Sequence, residues 1–134
     1  MTFFERIVLI DDNEDDNFFH GIVIRKAGFQ GELRVFENGV DALAFLQTDP
    51  LQLRTCVFVD INMPMLDGFE VVAQATPLLE GKTSTTVVML TSSDAPSDRD
   101  RARDMPLIKA FVTKPLKAAS FHQLVNEAQG TAPR

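Results

Sequence analysis

Five times along this chain, a short run of apolar residues gives way to a stretch whose apolar side chains recur at helical spacing. Ile7-Val8-Leu9-Ile10 is apolar at every position, as a strand covered on both faces requires. Cys56-Val57-Phe58-Val59 and Val87-Val88-Met89-Leu90 repeat the pattern. Residues 33–36 alternate instead, which places that strand nearer an edge, and residues 110–112 form a fifth, short strand.

Helices are expected between them. Asn13 caps the first, and the acidic opening Glu14, Asp15 and Asp16 suits the positive end of its dipole. Phe19, Ile22, Val23 and Ala27 share one face, and Gly28 stops the helix. Asn38 caps a second helix through Ala42, Leu43, Phe45 and Leu46, which ends before Pro50. A third starts near Asp67, turns Phe69, Val71 and Val72 inward, and ends or kinks at Pro77. Residues 97–105 form a short charged helix closed by Pro106. The last helix, residues 116–128, buries Leu116, Phe121, Leu124, Val125 and Ala128, and Gly130 stops it. Five strand–helix units in 134 residues, without repeats or a linker, predict one α/β domain over residues 1–134. The expected architecture is a doubly wound, five-stranded parallel sheet between two helical layers. Right-handed crossovers put the C-terminal ends of all five strands on one edge, where open sheets of this kind bind ligands.

Composition narrows the partners. A net charge of −6 without a basic block is unsuited to gripping a phosphate backbone, so no direct nucleic-acid contact is expected. The longest uncharged stretch, residues 83–93, has 11 residues and is rich in hydroxyls, far short of a bilayer span. Met1-Thr2-Phe3-Phe4-Glu5-Arg6 does not read as a signal peptide. Cys56 is the single cysteine and reads as a small buried thiol. Together these features favour the cytoplasm.

The residues that close the strands are the chemically unusual ones. Strand one ends in Asp11-Asp12, strand three in Asp60 and strand four in Thr91, and strand five runs into Lys114-Pro115. If strands one and three are neighbours, about 4.8 Å apart, their three carboxylates converge. Two such charges 4 Å apart repel by about 4 kcal/mol at an effective dielectric of 20. A cation must relieve them, and the edge offers Lys114 and a bound metal. Few ligands, all of them oxygen, suit Mg²⁺. A carboxylate beside Mg²⁺, a hydroxyl and an ammonium is what phosphoryl transfer to an aspartate requires. Asp60, alone at the end of the central strand, is the best nucleophile, and Asp11 and Asp12 are better placed as metal ligands.

At these residues the sequence resembles the receiver domain of two-component response regulators, in its single-domain, chemotaxis-type form. The resemblance runs from Ile7 to about Ala128 and rests on Ile10-Asp11-Asp12-Asn13, the stretch from Val59 to Gly68, Leu90-Thr91-Ser92-Ser93 and Val112-Thr113-Lys114-Pro115. It implies a flavodoxin-like fold with strand order 2-1-3-4-5. It also implies that Asp60 takes a phosphoryl group from a histidine kinase or histidine phosphotransfer protein. Asp12, Asp60 and the Asn62 backbone carbonyl would bind Mg²⁺, with Asp11 acting largely through water. Thr91 would hydrogen-bond one phosphoryl oxygen and Lys114 would pair with another. Pro115 stands at the family's usual cis-proline, and Phe111 at the aromatic switch position that responds to Thr91. Asn62 and Ser93 line the route of the water that removes the phosphoryl group. Output would pass through helix four, strand five and helix five, where Arg99, Arg101, Arg103 and Lys109 gather, to an unidentified downstream protein. A monomer or weak dimer is expected, with no catalysis beyond the chain's own phosphorylation and dephosphorylation.

Two features depart from the family pattern. Phe111 lacks the hydroxyl of the tyrosine common there, and Met105-Pro106-Leu107-Ile108 replaces a small-residue turn, which predicts a shortened or differently angled helix four. His20 and His122 are read as packing or solvent-facing residues rather than relay histidines. Phe18, Phe19, Phe29, Phe36, Phe45 and Phe58 are read as mostly core. The competing functions are an interaction module indifferent to phosphate and an aspartate-nucleophile phosphatase. The second calls for an Asp-x-Asp where this chain has Asp11-Asp12-Asn13. Flavodoxin-type redox chemistry lacks a phosphate loop and any Trp or Tyr to sandwich a flavin, and no GxxxxGK motif supports an NTPase.

Overall fold

In the computed structural model, which describes residues 3–131, strands and helices alternate throughout. They are β1 (Arg6–Ile10), α1 (Glu14–Lys26), β2 (Glu32–Phe36), α2 (Gly39–Thr48), β3 (Thr55–Val59), α3 (Gly68–Leu79), β4 (Thr85–Thr91), α4 (Pro96–Arg103), β5 (Ile108–Thr113) and α5 (Ala118–Thr131). All strand pairs are parallel and the order is β2-β1-β3-β4-β5, with β3 central. Every residue of β1 and β3 is buried, as continuous apolar runs require, whereas β2 lies at an edge with Arg34 and Val35 both exposed, so the expected alternation is broken there.

The sheet separates two cores. Val8, Ile10, Val57, Val59, Val87 and Met89 pack beneath α2 and α3, against Leu43, Leu46, Phe69 and Val72. On the other face Ile7, Leu9, Phe58, Val88 and Leu90 meet Ile24 of α1 and Phe121 and Val125 of α5. Cys56 lies in this second core, and burial pushes its thiol pKa far up, leaving it inert. His122 Nε2–H donates to the Ala27 carbonyl at 2.8 Å, tying α5 to the end of α1. No helix among the described residues is long and apolar enough to cross a membrane.

Two helix expectations need correction and a third, at Pro77, is narrowed. The inward face of α1 is Asn17, His20, Gly21 and Ile24, while Phe18 (73% exposed), Phe19 (48%) and Ile22 (39%) face outward. Polar docking sets this phase, because the Asn17 amide donates to the buried Asp11 carbonyl at 2.8 Å. Pro77 does not end α3, which continues so that Leu79 is buried and Leu78 packs beside it. Gly130 likewise stays helical, inside α5. Helix α4 is short, with eight residues. It stops ahead of Met105-Pro106, where the residue preceding proline is pushed out of helical geometry.

The lower end of the sheet carries an ion pair that the sequence did not announce. Arg6, 2% exposed, forks onto Asp49 at 3.0 and 2.9 Å and donates from Nε to Thr55 Oγ1 at 3.1 Å. These hydrogen bonds hold the Asp49 carboxyl below its usual 3.8. A depressed carboxylate stabilises above its unfolded pKa and loses that contribution as pH falls through the folded value. Asp49→Asn is therefore expected to cost about 2 kcal/mol at pH 7 in urea unfolding, less than a wholly buried pair because Asp49 keeps some exposure. The difference from wild type should shrink below about pH 4, where the native carboxylate itself protonates.

Candidate functional site

The strand ends converge at the upper edge. Asp11 follows β1, Asp60 follows β3, and oxygens of Asp11, Asp12 and Asp60 all lie within 4.8 Å of one another. Asp11 and Asp60 are buried and Asp12 is exposed. Lys114, just past β5, reaches in from the other side, with Nζ 2.6 Å from Asp11 Oδ2 and 3.2 Å from Asp60 Oδ2. Its third contact is Asp16 Oδ2 at 2.7 Å.

Electrostatics follow from these contacts. Burial pushes the Asp11 carboxyl above its usual 3.8, and the hydrogen bonds from Lys114 and the Asn13 amide only partly offset it. Burial alone would lower the Lys114 pKa, but the bonds to Asp11 and Asp16 and the charge of Asp60 outweigh it and hold it above 10.5. His20 lies beneath the acids, 2% exposed, and burial followed by the Lys114 charge keeps it on the neutral side. A histidine so enclosed is a packing residue.

The remaining expected residues frame this centre. Thr91 ends β4, is fully buried, and accepts a 3.2 Å hydrogen bond from the Ser93 amide, so its hydroxyl is engaged by its own loop. Ser93 Oγ donates in turn to Asp98 of α4. The Thr91 carbonyl accepts from the Lys114 amide at 2.8 Å, which fixes the two residues side by side. The Lys114–Pro115 peptide is cis. Asn62 is exposed in the loop after Asp60, which turns through Met65 at φ 69°. Phe111 stands apart on β5, half-buried, with the Arg99 guanidinium 4.6 Å above its ring and Arg99 also bonded to Thr113 Oγ1.

Two participants escaped the sequence reading. In the sequence Asp16 answers only to the helix dipole, although it lies one turn beyond Asp12, the single hint available. Gly68 stands in the sequence only as the end of the stretch that begins at Val59. A Cβ there would lie 2.3 Å from the Asp60 carbonyl oxygen, so only glycine lets α3 abut the Asp60 peptide.

The donor set is all oxygen, and Asp60 Oδ1 is buried without a hydrogen-bond partner among the described residues. Such an oxygen is costly unless a cation or an electrophile meets it. The cluster therefore fits a small, hard metal ion.

The chain is a doubly wound parallel α/β domain with three acids and a lysine gathered at its strand ends. A family model for the response regulator receiver domain matches residues 7–126, and the chain belongs to that family. It is similar to the response regulator receiver protein CpdR of Brucella abortus, with 35% identity over 74 residues, 55% of this chain and 58% of that protein. It is also similar to Protein PilH of Pseudomonas aeruginosa, with 28% identity over 126 residues, covering 90% of this chain and 94% of that protein. The crystal structure of a two-component response regulator from Cytophaga hutchinsonii superposes with a TM-score of 0.83 at 25% identity, covering 95% of this chain and 98% of that one. Fold and strand order agree with the sequence reading.

Proposed function

We propose that this chain is a phosphorylation-dependent switch whose phosphoacceptor is Asp60. The observation that carries the reading is the half-satisfied Asp60 carboxylate: Oδ2 holds Lys114 while Oδ1 is buried without a partner. A carboxylate oxygen of Asp60 attacks phosphorus in line. The bond from phosphorus to the donor's imidazole nitrogen breaks, its electron pair returns to the ring, and an acyl phosphate forms. The donor is a histidine kinase or histidine phosphotransfer protein. Asp12, Asp60 and the Asn62 carbonyl would hold Mg²⁺, with Asp11 acting through water, and the ion would supply charge neutralisation at the transferring oxygens.

Lys114 supplies the fixed positive charge on the other side, and the Thr91 hydroxyl leaves the Ser93 amide to bond a phosphoryl oxygen. Because Ser93 also bonds Asp98, that exchange loosens the start of α4. Phe111 and Arg99 carry the change to the α4-β5-α5 surface, where a partner protein reads it. The chain works in the cytoplasm as one receiver unit, monomeric or weakly dimeric. It performs no chemistry beyond its own phosphorylation and dephosphorylation.

Intact-mass spectrometry after incubation with acetyl phosphate and Mg²⁺ tests the assignment. One added phosphoryl group is expected in wild type, none in Asp60→Asn, and none when EDTA is present. Equal labelling of both proteins would overturn it.

A further inference from the structure

The geometry points to Asp16 as a positioning residue that competes with the phosphoryl group for Lys114, an assignment that rests on the phosphoacceptor reading above. An ammonium has three protons, and here all three are committed to carboxylates: Asp11 at 2.6 Å, Asp16 at 2.7 Å and Asp60 at 3.2 Å. The phosphoacceptor holds the longest of the three bonds. Lys114 is thus drawn toward α1 rather than toward the residue it must serve.

Asp16 differs from the other two acids. It lies outside the trio whose oxygens converge within 4.8 Å, so it is no candidate for the metal. Its side chain is 39% exposed, against 6% for Asp11 and 7% for Asp60. Its amide donates to the Asn13 side chain at 3.0 Å, so the capped first turn of α1 fixes where the carboxylate can reach. A phosphoryl oxygen on Asp60 gains a hydrogen bond from Lys114 only when one existing bond is given up. Asp11 is buried and further held by the Asn13 amide at 2.9 Å. Asp16 can instead be rehydrated, and its release turns the ammonium toward the new charge. Until then Asp16 weakens the grip on phosphoryl oxygens and sets how much of the protein a weak donor can hold in the active form.

The dissociation constant for beryllofluoride at saturating Mg²⁺, read by ¹⁹F nuclear magnetic resonance, tests this on the full chain. Asp16→Asn keeps the side-chain shape and is expected to bind about fivefold tighter than wild type, the scale of one charge-assisted bond at a partly exposed site. Asp16→Glu restores the charge and should stay within about twofold of wild type. Unchanged or weaker binding by Asp16→Asn overturns the competition, and so does an Asp16→Glu protein that binds as tightly as Asp16→Asn. A purely structural role would instead lower the thermal midpoint and the affinity together. If wild type itself neither binds beryllofluoride nor takes a phosphoryl group from acetyl phosphate, the phosphoacceptor reading fails, whatever Asp16 does.

Discussion

Lys114→Met is expected to destabilise the metal-free protein by about 4 kcal/mol, the penalty for leaving buried charges without their partner. The lysine is 11% exposed and contacts three carboxylates, two of which are buried. Methionine has nearly the length of the lysine stem and fills its path, so lost packing contributes little. What remains is Asp11, Asp12 and Asp60 facing one another without a fixed cation. Urea unfolding should therefore show a lower midpoint with little change in slope. Saturating Mg²⁺ should recover about 2.7 kcal/mol at a hundredfold excess over its dissociation constant, because only the folded chain gathers the three acids.

The pH dependence has a definite sign. Asp11 already titrates above its unfolded value, and the variant loses the lysine bond that held it down. A carboxyl with a raised folded pKa favours the native state below its unfolded pKa and loses that contribution as pH rises through the folded value. The gap between variant and wild type should therefore narrow from pH 8 to pH 5. In wild type the Lys114 contribution is complete across this range, since its own raised pKa moves the loss above 10.5. Labelling by acetyl phosphate should slow by about 10²- to 10³-fold in refolded, Mg²⁺-saturated variant, as when a preorganised electrostatic group is removed. An unchanged unfolding midpoint would mean that the lysine compensates nothing.

The sequence was most legible where one physical demand acted alone. Doubly covered strands had to be apolar throughout, so β1 and β3 were visible as runs. Asn13, Asn38 and Asp67 all cap as their chemistry requires, Asp67 in a reciprocal capping box with Glu70. The acid cluster was legible because stability alone would not place Asp11, Asp12 and Asp60 on neighbouring strand ends. Legibility failed where two demands competed. In α1 the apolar spacing of Phe19 and Ile22 favours one face, but Asn17, bonded to the Asp11 carbonyl, and Asp16, bonded to Lys114, select another. At Pro77 burial of Leu79 outweighs the missing amide, and the helix runs on. Asp16 could not be paired with Lys114 from the chain alone, because 98 residues separate them.

Gly68→Ala is the substitution expected to disturb the site most without touching any charge. The added Cβ would meet the Asp60 carbonyl oxygen at 2.3 Å, its carbon at 2.9 Å and Ile61 Cα at 2.9 Å, all of them backbone. None of these atoms can rotate away. On the other side α3 is anchored by the Gly68 amide on the Ile61 carbonyl at 2.8 Å and by buried Phe69, Val71 and Val72. Either the helix lifts from its core or the Asp60 peptide shifts, at a cost of about 3 kcal/mol, the upper range for overpacking. Moving the peptide moves the carboxylate away from Asp11, Asp12 and Lys114, so Mg²⁺ affinity by calorimetry should fall about tenfold, one missing ligand's worth of coordination. Gly130→Ala provides the contrast, since nothing among the described residues lies within 4 Å of its Cβ position and the residue is helical. That change should add about 0.5–1 kcal/mol of stability and leave Mg²⁺ binding unaltered. Gly68→Ala with wild-type stability and metal affinity would mean that the contact between α3 and Asp60 has no part in shaping the site.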